Sequence, residues 1–403
     1  MEHQRDPKRP RTSDSPATGD DGGGIVDARE PLLPDDLLLE IAARADVATV
    51  VRCAAASKPL RRAILGPGFR HRLGPGHAVL LGFSFQLHRP ASTRIPGVVG
   101  ITTAPRPHSH LLARIDPSLW ESSEPVASRD GLLVLRRRGR DLSVCDTMTG
   151  AVTSLPSADL LCEYFLPALL GAGRGADGSF ELLVADAERG PFTTGIRIQT
   201  FSSKNGRWSA VRSVPYPEQV CLVSRAHPAV IGRLVHWLYP GGLSNPHRVL
   251  AVDVDAAAAT EVQLPPSYRS RMRAIDNKEA YVRLVAVGGK LRLLVGETTA
   301  VSMWTLTAST WSRQVVIGMQ ELERRAGLRP DTFYFCPTLF LGFAETSGTV
   351  AVLMMEGHLV TLNLGTKAVT TLWRGVRENK AWDSQVCLHE VGLATALQAM
   401  KSF

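Results

Sequence analysis

Hydrophobic residues follow two different periods along the chain, and the change falls near residues 74–76. Between residues 31 and 74, apolar residues recur every three or four positions, which is typical of helices with one buried face. From about residue 77 onward this period is lost, and short apolar runs alternate with polar turns that contain Gly. The pattern predicts a small all-α module at residues 31–74 and a mostly β region at residues 77–403.

Start and stop signals divide the first module into three short helices. Pro34 suits the first turn of a helix, and the acidic residues after it complement the positive end of the helix dipole. Asp46 is a good cap for a second helix, and Ser57 begins a third helix that Gly66 ends. A helical unit of about 40 residues rarely sustains its own core without outside help. We therefore expect its apolar faces to need a partner.

The residue order of this module resembles the F-box motif. The match is carried by Leu33-Pro34-Asp35-Asp36-Leu37-Leu38 with Ile41, followed by Arg52-Cys53, Lys58 and Pro67-x-Phe69. The segment is similar to the F-box of plant proteins, in particular of the group expanded in grasses. The resemblance implies docking onto the Skp-type adaptor of an SCF-type cullin–RING ubiquitin ligase, with contacts from Leu33, Pro34, Leu37, Leu38, Ile41, Val50, Val51 and Leu60.

The module departs from the motif at three positions. Ala45 and Ala56 stand where larger aliphatic residues are usual, and Leu60 replaces a common Trp. We expect these differences to reduce the tightness of adaptor binding more than to abolish it. The alternative interpretation is an ordinary helical subdomain that packs on the rest of the chain.

A repeat of about 50 residues organises the β region. The middle strand of each unit begins near Leu142, Ile198, Leu250, Met303 and Leu359, at intervals of 56, 52, 53 and 56 residues. Each unit contains four strand-like runs, which is the makeup of a propeller blade, and the period is that of kelch-like repeats. Residues 77–104 and the C-terminal run at 386–388 supply the material for one more blade. The sequence thus predicts a kelch-like β-propeller of about six blades, with five or seven as alternatives.

The repeats also resemble the F-box-associated, propeller-like domain that follows the motif in these plant proteins. Trp208, Trp311 and Trp373 fall at similar phases of the repeat. Side chains that recur at one phase are better explained by packing between blades than by a ligand site. Trp120 and Trp382 lie outside this phase and are the better candidates for exposed contacts.

Composition narrows the class of protein. The chain has 403 residues, 44% of them hydrophobic, and no run approaches the roughly 20 apolar residues of a membrane helix. The N-terminus is polar and charged, unlike a secretory signal. We therefore expect a soluble protein of the cytoplasm, the nucleus or both, without membrane contact. Residues 1–30 hold almost nothing apolar and are expected to be a disordered tail.

Charge and cysteine usage add little specific chemistry. The net charge is +8, but the basic residues are spread along the chain, so nucleic acid is not the expected partner. The run Lys8-Arg9-Pro10-Arg11 is a weak match to a nuclear localisation signal. The six cysteines are scattered, and none forms a C-x-x-C pair. This spacing indicates neither a zinc site nor a disulfide framework.

Three short matches to catalytic motifs fail on their context. The run 171–176 imitates a dinucleotide-binding loop but precedes a strand instead of a helix. Gly288-Gly289-Lys290 precedes Leu291, which lacks the hydroxyl group of a P-loop. His389-Glu390 begins like a zinc-protease motif, but position 393 is Leu. The sequence therefore predicts no catalytic residue, no cofactor and no metal.

Three hypotheses about function follow. The first is a non-enzymatic adaptor, in which the helical module binds the ligase and the propeller loops bind a target protein whose identity the sequence does not reveal. The second is a propeller enzyme or glycan-binding propeller with an incidental helical N-terminus. The third is binding to nucleic acid through the basic turns, which would be sensitive to salt.

Overall fold

The computed structural model shows a mostly β protein with a few helices. It describes residues 33–45, 47–66, 68–69, 78–88, 94–100, 123–137, 141–147, 149–160, 166–170, 179–187, 195–216, 227–240, 247–265, 267–268, 281–328, 338–355, 358–373 and 385–393. The tail predicted at residues 1–30 lies outside these ranges, as do Trp120 and Trp382. Among the described residues, no helix has the length and apolar character needed to cross a membrane.

Three helices form the N-terminal module: α1 (Asp35–Arg44), α2 (Val47–Ala56) and α3 (Lys58–Leu65). The Ser57 hydroxyl accepts a hydrogen bond from the Leu60 N–H at 3.4 Å and so caps α3. Buried Val50 and Ile64 pack together with Leu393, which directly follows the last strand of the β region. The core of the helical module therefore includes a residue from the far end of the chain.

Five consecutive antiparallel sheets form the blades of a propeller. Blade 1 contains β3 (Ser123–Arg129), β4 (Leu132–Arg137), β5 (Leu142–Asp146) and β6 (Val152–Ser154). Blade 2 contains β7 (Ala168–Leu170), β8 (Glu181–Ala187), β9 (Gly195–Ser202) and β10 (Arg207–Trp208), with β11 (Arg212–Pro215) also paired to β9. Blade 3 contains β12 (Ala229–Ile231), β13 (Leu234–Pro240), β14 (His247–Asp253) and β15 (Ala258–Val262).

The last two blades repeat this order of strands. Blade 4 contains β16 (Val282–Val287), β17 (Lys290–Gly296), β18 (Ala300–Thr307) and β19 (Thr310–Gly318). Blade 5 contains β20 (Leu339–Phe343), β21 (Val350–Met355), β22 (His358–Asn363) and β23 (Val369–Trp373). In blade 4 the first hairpin turns at Gly288 and Gly289, which both have positive φ, as the turn of a tight hairpin requires. Because these glycines form a hairpin turn between two strands, they do not form the phosphate-binding loop of a P-loop, as the sequence analysis predicts.

A three-stranded sheet joins the two ends of the β region. It contains β1 (Ala78–His88) between β2 (Arg94–Gly100) and β24 (Gln385–Gly392), and both neighbours are antiparallel to β1. We call it the closing sheet. The sequence predicts about six blades, whereas the described residues form five blades and this sheet of three strands.

Apolar side chains fill the spaces between consecutive sheets. One cluster joins blades 1 and 2 through Val134 and Leu182, and comparable clusters follow between each later pair of blades. Phe83 and Leu388 of the closing sheet pack with Leu341 of blade 5. Each sheet is therefore stabilised by burying its faces against its neighbours.

Hydrogen bonds join the closing sheet to blade 1. The Ser128 hydroxyl donates to the Leu388 carbonyl at 2.8 Å, and the Gly131 N–H donates to the Glu390 carbonyl at 2.6 Å. His389 and Ser84 are fully buried in the closing sheet. Among the described residues, neither ring nitrogen of His389 has a hydrogen-bond partner, and the Ser84 hydroxyl has none either.

Within the described part of the β region, one helix interrupts the strands, and the sequence analysis does not predict it. Helix α4 (Met319–Ala326) begins directly after β19 and ends at Gly327, which has a φ of 71°. Leu322 and Ala326 face the core between blades 4 and 5, while most of its other side chains are charged or polar. The Ala326 carbonyl accepts a hydrogen bond from the Thr371 hydroxyl at 2.8 Å, so the helix is fixed to the outer strand of blade 5.

Candidate functional site

An apolar stripe on α1 is exposed to solvent. Leu33, Leu37 and Ile41 are spaced four residues apart, and their exposed fractions are 51%, 47% and 54%. Leu37 and Ile41 are four residues apart within α1 and so lie on one face of the helix, while Leu33 lies two residues before its first residue. Pro34, at the start of the same segment, is also exposed. We call these four residues the α1 stripe.

The other residues predicted to contact an adaptor are placed differently. Val50 is fully buried in the core of the helical module, so its side chain is not on the surface. Leu38 and Leu60 are half-buried, and Leu60 packs against that same core. The side chain of Val51 lies outside the described part of the chain. The structure therefore brings the four residues of the α1 stripe together and separates Val50 from them.

A central channel is lined by residues from all five blades and from the closing sheet. It encloses a cavity of about 40 Å³. Its polar lining consists of Ser128, Arg129, His227, Arg283, Glu345, Thr346, Cys387 and Glu390. Because each sheet contributes its inner strand, residues far apart in sequence meet here.

Two guanidinium groups reach this cavity. Arg283 is only 8% exposed, and its Nη1 donates to the Leu341 carbonyl at 3.1 Å. Its Nε has no hydrogen-bond partner among the described residues, and burial lowers its pKa to about 10. Arg129 is half-buried, and its Nη1 makes a long contact of 3.4 Å with the Leu169 carbonyl. At a pKa of about 10, Arg283 therefore remains charged at neutral pH.

Two carboxylates face the same space but differ in their contacts. Glu390 is buried and accepts the backbone N–H groups of Thr346 at 2.7 Å and Ser347 at 3.0 Å. Glu345 is half-buried and forms no hydrogen bond or ion pair with another described residue. Burial raises its pKa to about 7, although the charges of Arg129 and Arg283 act in the opposite direction. Glu390 therefore supports a turn, whereas Glu345 is available to the cavity.

The thiol of Cys387 is an unpromising nucleophile. Its Sγ lies 3.9 Å from Nε2 of His227. Burial raises the pKa of Cys387 well above its usual range, and burial together with Arg283 lowers the pKa of His227. Both groups are therefore neutral at pH 7, and a neutral thiol reacts poorly. Within the described ranges, no group of three or more His, Cys, Asp or Glu residues could hold a metal ion.

Sequence reasoning misses the charged residues of the channel. Arg283 interrupts the apolar run 282–287, and Glu390 follows the run 386–388. A charged residue within a buried strand is a signal for a special environment, because burial of an unpaired charge is costly. These residues come close together only through the arrangement of the sheets, however, and no local sequence pattern indicates that arrangement.

Comparison with known proteins identifies a family for the β region. The model described as "Domain of unknown function (DUF7595)" matches residues 82–403, so the chain belongs to this family. Helices α1 to α3 precede the matched residues. No curated protein matches the chain.

Several solved structures are similar to the chain. One is TolB from Acinetobacter baumannii, at 10% identity, covering 79% of this chain and 68% of that chain with a TM-score of 0.44. Another is a putative TolB from Agrobacterium tumefaciens, at 12% identity, covering 72% of this chain and 88% of that chain with a TM-score of 0.36. A third is the acylaminoacyl peptidase of Pyrococcus horikoshii, at 8% identity, covering 73% of this chain and 46% of that chain with a TM-score of 0.35.

Proposed function

We propose that the protein is the substrate-recognition subunit of an SCF-type cullin–RING ubiquitin ligase. The observation that carries the proposal is the α1 stripe, where Leu37 and Ile41 on one face of α1 and Leu33 just before the helix are each about half exposed. These residues belong to the segment that resembles the F-box. Burying a large aliphatic side chain contributes about 1.5–3 kcal/mol, so covering the stripe with a Skp-type adaptor would be strongly favourable.

In this proposal the loops of the β region bind the target protein. Tethering a target to the ligase raises its effective concentration near the ubiquitin-carrying enzyme, and the chemistry belongs to other subunits. Leu393 packs in the core of the helical module and directly follows β24, so it couples the docking module to the closing sheet. Such a coupling favours a fixed distance between adaptor and target. The complex would act in the cytoplasm, the nucleus or both.

We further propose that the closing sheet serves as the sixth blade of a kelch-like ring. Its inner strand β24 contacts both neighbours, since Leu388 packs against Leu341 of blade 5 and accepts the Ser128 hydroxyl of blade 1. Pairing a C-terminal strand with N-terminal strands leaves fewer exposed sheet edges, which are a liability for aggregation.

The test is binding of the full chain to a purified Skp-type adaptor. The double variant Leu37→Ala/Ile41→Ala should weaken binding by about thirtyfold, corresponding to about 2 kcal/mol, without changing the thermal melt, because both side chains are exposed. Leu234→Ala, at a similarly exposed residue of blade 3, is the matched control and should bind like the wild type. Absence of binding by the wild type, or full binding by the double variant, would refute the proposal.

A further inference from the structure

Arg283 carries a buried charge that the described residues compensate only in part, because the charge of Glu345 acts on it without a hydrogen bond or ion pair between them. The side chain is more than nine-tenths buried and lines the cavity of the central channel. Among the described residues it has a single hydrogen bond, to the Leu341 carbonyl, and no ion pair. A guanidinium group has five N–H donors, and a buried charge without a contacting counter-ion is costly. The arrangement calls for an anion.

We propose that the central channel binds a carboxylate group between Arg129 and Arg283. Both guanidinium groups face the cavity, and planar guanidinium donors match the two oxygens of a carboxylate. A volume of about 40 Å³ has room for only a few water-sized groups, so a small, singly charged group fits better than a bulky one. The carboxylate comes from a small organic acid or from the terminus or side chain of a bound protein.

Glu345 makes this site sensitive to pH. Its own carboxylate competes with an incoming anion while it is charged, and its pKa is about 7 in the free protein. A bound anion favours the neutral form of Glu345, so binding is coupled to proton uptake above pH 7. The charged and titratable groups around Glu345 in the channel are Arg129, His227, Arg283, Cys387 and Glu390. Of these, His227 and Cys387 stay neutral, and Glu390 is engaged by two backbone N–H groups.

The first experiment measures binding of sodium acetate to the full chain by calorimetry, with ionic strength held constant by sodium chloride. The wild type should bind acetate saturably, and Arg129→Gln should weaken binding at least tenfold. Arg207→Gln, at an exposed residue of blade 2, is the matched control and should bind like the wild type. No saturable binding, or equal binding by Arg129→Gln, would overturn the proposal.

The pH dependence separates this site from a nonspecific surface. Wild-type affinity should fall by up to tenfold for each pH unit above 7, because one proton is taken up on binding. Glu345→Gln removes the competing charge, so it should bind acetate at pH 8 at least as tightly as the wild type does at pH 6. A variant that keeps the wild-type pH dependence would contradict the role of Glu345.

The source of the carboxylate is distinguished with a capped dipeptide, acetyl-Ala-Ala, which bears either a free C-terminus or a C-terminal amide. Binding of the free acid at least tenfold tighter than acetate, with no binding of the amide, supports a protein terminus as the ligand. Binding of acetate alone supports a small organic acid. Equal binding of acid and amide would refute recognition of a carboxylate. This result is independent of adaptor binding at the α1 stripe.

Discussion

The indole Nε1 of Trp208 donates a hydrogen bond of 2.7 Å to the carbonyl of Pro156. Trp208 is in the outer strand of blade 2, and Pro156 lies two residues after the outer strand of blade 1. Blades 3 and 4 repeat the relationship, because Trp311 donates to the Gln263 carbonyl at 2.8 Å. In each case the indole also packs in the apolar cluster between the two blades. The prediction that these tryptophans join blades is confirmed for both.

The first prediction follows from this repeated contact. Trp208→Phe keeps an aromatic ring but removes the donor, so it should lower the free energy of unfolding by about 1 kcal/mol. Trp311→Phe should have a similar effect, because the same carbonyl contact is lost. Urea unfolding of both variants provides the measurement. If one variant is destabilised by several kcal/mol and the other not at all, the two contacts are not equivalent.

The spacing of the repeat could be predicted because alternation of apolar residues is a local property of a strand. All five predicted middle strands are the third strands of successive blades, namely β5, β9, β14, β18 and β22. The division between a helical module and a β region also follows from local periodicity.

Helix α4 and the channel could not be predicted in this way. Only Leu322 and Ala326 of α4 are buried, which is too small an apolar face to stand out in eight mostly polar residues. Arg129 and Arg283 are separated by more than 150 residues and meet only because the sheets surround one axis. Local patterns do not encode that arrangement.

The second prediction concerns the coupling of the two modules. Leu393→Ala should destabilise the helical module by about 2–5 kcal/mol, because its side chain is buried in the core of that module. Limited proteolysis should then cleave residues 33–69 faster than in the wild type. Leu234→Ala, at an exposed Leu, provides the control. Unchanged protection of the helices in Leu393→Ala would show that the modules are energetically independent.

The third prediction is a loss of stability in acid. Burial lowers the pKa of His389 from 6.5 to about 4, so between these values the unfolded chain binds a proton that the folded chain excludes. The free energy of unfolding should therefore fall as the pH decreases from 6.5 to 4.

His389→Leu should reduce that pH dependence and raise stability at pH 7 by about 1 kcal/mol, since it removes a buried ring without a described hydrogen-bond partner. His247 has a similarly lowered pKa but contacts the Tyr268 hydroxyl at 3.4 Å. His247→Leu should reduce the pH dependence without the gain at pH 7. Urea unfolding across the pH range measures both effects, and an unchanged pH profile in His389→Leu would exclude the proposed cause.

The fourth prediction tests how closely the closing sheet packs against blade 5. Gly342 lies in β20, and a Cβ atom at this residue would be 2.4 Å from Cδ1 of Leu388 and 3.1 Å from the Val386 carbonyl oxygen. Backbone atoms of β24 cannot move aside without shifting the strand. Gly342→Ala should therefore lower the free energy of unfolding by about 1–3 kcal/mol.

Gly318→Ala supplies the matched control for this clash. No atom lies within 4 Å of a Cβ placed on Gly318, and its φ of −69° suits any residue. That variant should be neutral or more stable by about 0.4–1 kcal/mol, because Ala restricts the unfolded chain more than Gly does. Leu388→Ala in the Gly342→Ala background should recover part of the loss by removing the clashing methyl group, although it also creates space elsewhere in the cluster. If Gly342→Ala is as stable as Gly318→Ala, then β20 and β24 do not pack as closely as the structure shows.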